Sequence, residues 1–129
     1  MNRTDKSKRL DMARLHFKEF YENFYNALLE NGKFQKGSEL GMHALCNSLV
    51  WAWNIHIAYG VTEGKDNVRK MPISLNPQTK EWLTDFIKVA IEAKEQLFRG
   101  DRFAVEDAKV HLLNDKPIIE IEFGKEEPL

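Results

Sequence analysis

The pattern of apolar positions divides this chain into three helical stretches and an alternating tail. In residues 5–31, Leu10, Ala13, Phe17, Phe20, Phe24 and Ala27 recur at alternating three- and four-residue spacing, with Tyr21 and Leu28 widening the stripe. Lys8, Lys18, Glu19, Glu22 and Asn23 fall mostly opposite. That pattern predicts a long amphipathic helix, with Thr4 or Ser7 as its cap and Asn31-Gly32 as its stop. Residues 38–60 are different. Leu40, Met42, Leu45, Leu49, Val50, Trp51, Trp53, Ile55, Ile57 and Tyr59 point in nearly every direction on a helical wheel. A helix that is apolar all round must be surrounded, so this stretch is read as the buried central helix, capped by Ser38 and ended by Gly60. Its longest uninterrupted apolar block, Leu49 to Trp53, is far short of the roughly 20 residues that a membrane span needs.

Val61 to Asn76 has no helical period, and Gly64, Asp66, Asn67 and Pro72 mark turns, with Met71 to Leu75 as a short extended piece. The third helix is framed by Asn76-Pro77 and Gly100. Its predicted core stripe is Leu83, Phe86, Ala90, Ala93 and Leu97, flanked by Trp82, Ile87 and Val89, with Glu92, Lys94 and Glu95 toward solvent. Residues 103–113 read equally as helix or strand. Pro117 to Phe123 alternates at period two, and Asn114-Asp115-Lys116 makes a turn, which predicts a hairpin of Val110–Leu113 with Ile118–Phe123. Such a hairpin is marginal alone and must pack on a helix. Residues 125–129 are expected to fray. The predicted fold class is mostly α, α+β by label: three helices around 38–60 and a C-terminal β-hairpin, in one domain over 1–129.

Composition narrows the class. With 129 residues, 43% hydrophobic and 11% aromatic, the chain is globular and buries about two thirds of its unfolded surface. Nineteen basic residues against 20 acidic ones leave no field directed at nucleic acid or at an anionic membrane. The charge is uneven, however: Arg3, Lys6, Lys8, Arg9 and Arg14 stand against Asp5 and Asp11 at the start, while Asp115, Glu120, Glu122, Glu126 and Glu127 stand against Lys116 and Lys125 at the end. The two ends are complementary to each other or to a second chain. The single cysteine, Cys46, allows no internal disulfide and fits a reducing compartment; with no apolar signal segment at the start, the cytoplasm is the expected location.

No phosphate-binding glycine loop, HExxH, CxxC or GxSxG occurs, so no cofactor and no catalytic residue are assigned by motif. The best polar constellation is His43, Asn47 and Asn54, at i, i+4 and i+11 on one helix face. It reads either as a ligand-binding pocket with His43 as acid, base or anchor, or as core residues tying the helix to loop backbone, which is the weightier reading. A metal site from His43, Cys46 and His56 fails on direction, because His56 points away from the other two. Trp51 and Trp53 diverge by about 200° on a helix. One of them is therefore expected to face a partner, and Trp51 and Tyr59 are the candidate protein-interface residues. Glu120 and Glu122 alternate on one strand face, as an acidic surface for a basic partner or as a guard against edge pairing. Lys65, Arg69 and Lys70 form a basic loop with no interleaved aromatic platform, which disfavours single-strand binding.

Arg9 and His16 lie seven apart, two turns along one helix face. The spacing resembles the arginine–six residues–histidine motif of the HEPN ribonuclease superfamily over eight residues. That resemblance implies that both side chains act on a scissile phosphate across a dimer. Leu10 stands where the motif carries a polar residue, and here the pair sits in the first helix rather than late in the fold. Solvated helix-face residues are the weightier reading. Without catalytic motifs, the aromatic surplus and the acidic tail lead to a non-enzymatic protein that binds another protein: an inhibitor, immunity protein, adaptor or assembly factor, with a homodimer as one form. A ligand-binding domain or small enzyme around His43, Asn47 and Asn54 is the alternative; nucleic-acid work, through the basic N-terminal helix and the 65–70 loop or as a HEPN-like ribonuclease using Arg9 and His16, comes after it.

Overall fold

In a computed structural model of the chain, residues 3–32, 39–69, 77–114 and 116–127 are described. They form α1 (Arg3–Glu30), α2 (Glu39–Tyr59), α3 (Thr62–Arg69), α4 (Pro77–Phe98) and an antiparallel hairpin, β1 (Phe103–Leu113) with β2 (Lys116–Glu126). The protein is thus mostly helical and α+β. The predicted Ser38 cap, Asn76, the Met71–Leu75 piece and Lys70 lie outside the described residues, as does Asp115 of the turn.

α2 is the hub. Met42, Leu49, Ala52 and Trp53 are fully buried, and Leu45, Cys46 and Ile57 nearly so. α1 crosses it with Phe17, Phe20, Tyr21 and Tyr25; the Phe17 and Phe20 rings lie 5.2 and 5.5 Å from Trp53. The hairpin covers another side through Phe103, Val105 and Val110. The hub is not fully surrounded, however. Ala44, Trp51 and Tyr59 stay exposed, so the expectation of burial on all sides holds for only part of the circumference.

Three features of the helices differ from the sequence reading. α1 already runs at Arg3, ahead of both expected caps. Residues 62–69, read as turns, form α3: eight residues are too few to establish a period, but Val68 is buried and Gly64 sits against α2. A Cβ at Gly64 would come within 3.1 Å of Ile55 Cγ2, so the missing side chain is what lets this short helix approach. In α4 the buried stripe is Ile87, Ala90, Ile91, Lys94 and Phe98, whereas Val89 and Leu97 are exposed. Hydrophobicity alone placed Lys94 outside, and packing places it inside.

The hairpin is also longer than predicted. β1 is a strand over all of 103–113, and its alternation is broken by register shifts between Phe103, Val105 and Asp107. A bulge shifts which side chains face inward, which is why Phe103 and Val105 fall out of step with Ala108, Val110 and Leu112. Asn114 takes the turn with φ 53°, in the left-handed region that tight hairpin turns require. Residues 125 and 126, expected to fray, belong to β2, and the Glu127 N–H donates to the Arg102 carbonyl at 2.8 Å. Gly32 and Gly60, with φ of 68° and 77°, end α1 and α2 as expected.

Candidate functional site

α2 and α4 run side by side in the same direction, and their two ends differ. At the N-terminal end a cleft of about 490 Å³ opens between them, with Leu28 of α1 also on its wall. α2 contributes Ala44, Ser48 and Trp51, and α4 contributes Trp82, Leu83 and Phe86. Among the described residues no charged side chain lines it; Asn47, Ser48 and Thr79 are its polar members, and the Ser48 hydroxyl donates to the Ala44 carbonyl at 2.9 Å. Trp51 and Trp82 stand on opposite walls and remain 43% and 53% exposed. Trp82 is not loose: it stacks on Phe86 at 5.5 Å with 10° between the planes, and Phe86 meets Phe24 edge-on at 5.3 Å. The local cause on α2 is plain. Trp53 points into the α1 face, so Trp51, two residues earlier, must point away from it.

At the other end the two helices are closed by a buried polar cluster. Lys94, fully buried, donates to His56 Nδ1 at 2.9 Å, to the Phe98 carbonyl at 3.3 Å and to the Asp101 carbonyl at 3.0 Å, and lies 4.5 Å over the Trp53 ring. Three donors thus meet three acceptors: the His56 ring nitrogen, the Phe98 carbonyl at the end of α4, which also accepts from the Asp101 N–H at 3.1 Å, and the Asp101 carbonyl in the turn beyond it. With Nδ1 accepting, the His56 proton sits on Nε2 and is donated to Glu95 Oε1 at 2.9 Å. Burial pulls the Lys94 ammonium down to about 8 and pulls His56 below its usual range. The hydrogen bond from His56 holds Glu95 below the usual carboxylate range. Enclosed in this way, Lys94 ties α4 to α2.

The residues singled out in the sequence do not converge. His43 is exposed, Asn47 lines the cleft, and Asn54 lies farther along and is used elsewhere. The Asn54 amide donates to the Val105 carbonyl at 2.9 Å and accepts from the Val105 N–H at 2.8 Å, tying α2 to the bulged end of β1. Cys46 is buried, which pushes its thiol up to about 11 and keeps it protonated. Among the described residues no three His, Cys, Asp or Glu side chains gather as metal ligands, and no helix is long and apolar enough to cross a membrane.

Arg9 holds Glu126 with both Nε and Nη2 at 2.8 Å, and Arg9 is itself half-exposed. This pairs the basic start with the acidic end of the same chain. His16 Nδ1 instead meets Asp101 Oδ2 at 2.8 Å and stacks on Phe98 at 4.9 Å. The two residues of the arginine–histidine pair are therefore engaged by different carboxylates. Lys65 bonds Glu92, fastening α3 to α4. Tyr59 is 49% exposed at the end of α2, and Glu120 and Glu122 are exposed on β2.

Sequence reasoning missed Trp82 and Lys94. The signal for Trp82 was present, since Trp82, Phe86, Val89, Ala93 and Leu97 form a second apolar row on α4, at spacings of four, three, four and four. Lys94 carried no signal at all. Compared with known proteins, the chain matches no family model, no curated protein and no solved structure.

Proposed function

We propose that this is a non-enzymatic protein that works by binding another protein, and that the cleft between α2 and α4 receives an amphipathic helix of that partner. The observation that carries this reading is the pair of half-exposed tryptophans on opposite walls of an uncharged cleft. Tryptophan is enriched among residues that dominate binding energy, and apolar grooves between helices are a recurrent seat for a partner helix. The chain also supplies its own example. Ala44, Ser48, Trp51 and Ile55 lie along one face of α2; at Ile55 that face is covered by a short helix, α3, and from Trp51 back it lines the cleft, uncovered among the described residues. An inhibitor, immunity protein, adaptor or assembly factor all fit this mode, and the lone buried Cys46 fits a reducing, cytoplasmic setting. The cleft volume supports one other reading, a small apolar ligand, because pockets for such ligands span roughly 300–1,000 Å³.

The test is a pull-down from the native cell with tagged wild type, a Trp51→Ala/Trp82→Ala double variant and a Lys18→Ala control. Capture of a protein by wild type and control but not by the double variant supports the reading. A double variant that retains every captured protein defeats it. If instead the purified protein is thermally stabilised by a small apolar compound, and the double variant is not, the ligand reading takes its place.

A further inference from the structure

The hairpin is a two-stranded sheet, so each strand keeps one edge without a strand partner, and side chains of α2 close the β1 edge at its bulged end, at Phe103 and Val105. Leu113 pairs with Lys116 across a turn of two residues, which makes it the closing hydrogen-bonded pair. From there the alternation fixes the rest. Residues 118, 120 and 122 turn their N–H and C=O groups toward β1, while Ile119 and Ile121 turn theirs outward. On β1 the bulge brings Val105 into the outward phase, and there Asn54 engages both its N–H and its carbonyl. The Trp53 indole donates to the Phe103 carbonyl at 3.0 Å, closing the same edge one step on. Along β2 no group among the described residues does this for Ile119 or Ile121.

The open window is short and bounded. Pro117 takes the outward position before Ile119 and has no N–H to offer. At the far end, α1 lies against β2, with Arg14 5.9 Å from the Phe123 ring and Arg9 on Glu126. Between these limits the side chains divide by face. Ile119 and Ile121 are turned to the core but only half-buried. Glu120 and Glu122 are exposed on the other face, where their cross-strand partners are Lys109 and Asp107. Three carboxylates surround the Lys109 ammonium there, with Lys116 standing at the turn end of the same face.

We infer that the β2 edge at residues 118–122 is a second interaction surface, distinct from the cleft. It receives an extended segment of another protein with Lys or Arg at alternate positions and aliphatic residues between them. An added strand would pair with the outward N–H and C=O groups of Ile119 and Ile121. Its basic side chains would stand beside Glu120 and Glu122, and its aliphatic ones would cover the open flank of the two isoleucines. A second copy of this chain is disfavoured in the β2–β2 registers that set Glu120 and Glu122 against the same two residues, because like charges across a ladder repel.

The probe is an acetylated alternating lysine–valine heptapeptide, titrated into the whole protein and followed by amide NMR. The expected result is that the Ile119 and Ile121 amides shift and exchange with solvent more slowly. An E120Q/E122Q variant, altered only at exposed positions, should bind roughly fivefold more weakly. The same peptide methylated on alternate backbone nitrogens should not bind. Unmoved Ile119 and Ile121 amides would overturn the inference. So would equal binding of the methylated peptide, which would reduce the effect to charge attraction without strand pairing.

Discussion

The two ends of the α2–α4 pair use the same residue types to opposite purpose. At the closed end Trp53 is fully buried, its indole N–H bonded to the Phe103 carbonyl and its ring lying under the Lys94 ammonium. At the open end Trp51 and Trp82 line a cleft with half their surface in water. The difference teaches that residue type does not assign role here. A lysine is interior because three acceptors surround it, and a tryptophan is exterior because its neighbour two positions on has taken the core.

Substitutions should separate the ends sharply. Trp53→Ala removes a large buried ring together with its hydrogen bond and is expected to cost about 4 kcal/mol, read as a lowered midpoint in denaturant. Lys94→Ala strips His56, Phe98 and Asp101 of their shared donor and is expected to cost about 3 kcal/mol. An unchanged midpoint for Lys94→Ala would mean that the closed end is not held by this cluster. Asn54→Ala leaves both backbone groups of Val105 unpaired and should cost about 2 kcal/mol, with faster amide exchange at Val105.

Acid should act on the closed end too. His56 titrates below its usual range when folded, so as pH falls through about 6.5 the unfolded chain binds a proton that the folded chain refuses. Stability therefore drops on acidification, by at most about 1.4 kcal/mol per pH unit from this one group. Glu95 and Glu126, held low by their partners, add the same sign at more acid pH. Thermal melts from pH 7 to 5 test this, and His56→Gln should flatten the early part of the curve. Lys94 acts at the alkaline side, where folding gains as pH rises from about 8 toward the ordinary lysine range. The smallest stability effect belongs to the open end. Trp51→Ala should cost less than about 1 kcal/mol, while removing the binding that the cleft provides. A Trp51→Ala loss as large as that of Trp53→Ala would erase the distinction between the two ends.

Much of the architecture was legible because it rests on local periodicity. The α1 stripe from Leu10 to Phe24, the stops at Gly32 and Gly60, and the alternation of Ile119, Ile121 and Phe123 all survive into the structure. The candidate site was only half legible. Trp51 and its divergence from Trp53 follow from helix geometry alone, but the opposite wall of the cleft, Trp82 and Phe86, lies some 30 residues away along the chain. No window short enough to show a period contains both walls.

Sequence by itself determined the three long helices, which end alternates, and that α2 is too apolar to stand in water uncovered. Those are properties of neighbouring residues on one element. Only the tertiary structure decided that Lys94 belongs inside, that Asn54 serves Val105, and that one side of α2 is left open between two tryptophans. Each depends on what a second element brings within reach: three acceptors for an ammonium, a bulged strand for an amide, and a helix that lines a cleft instead of filling it.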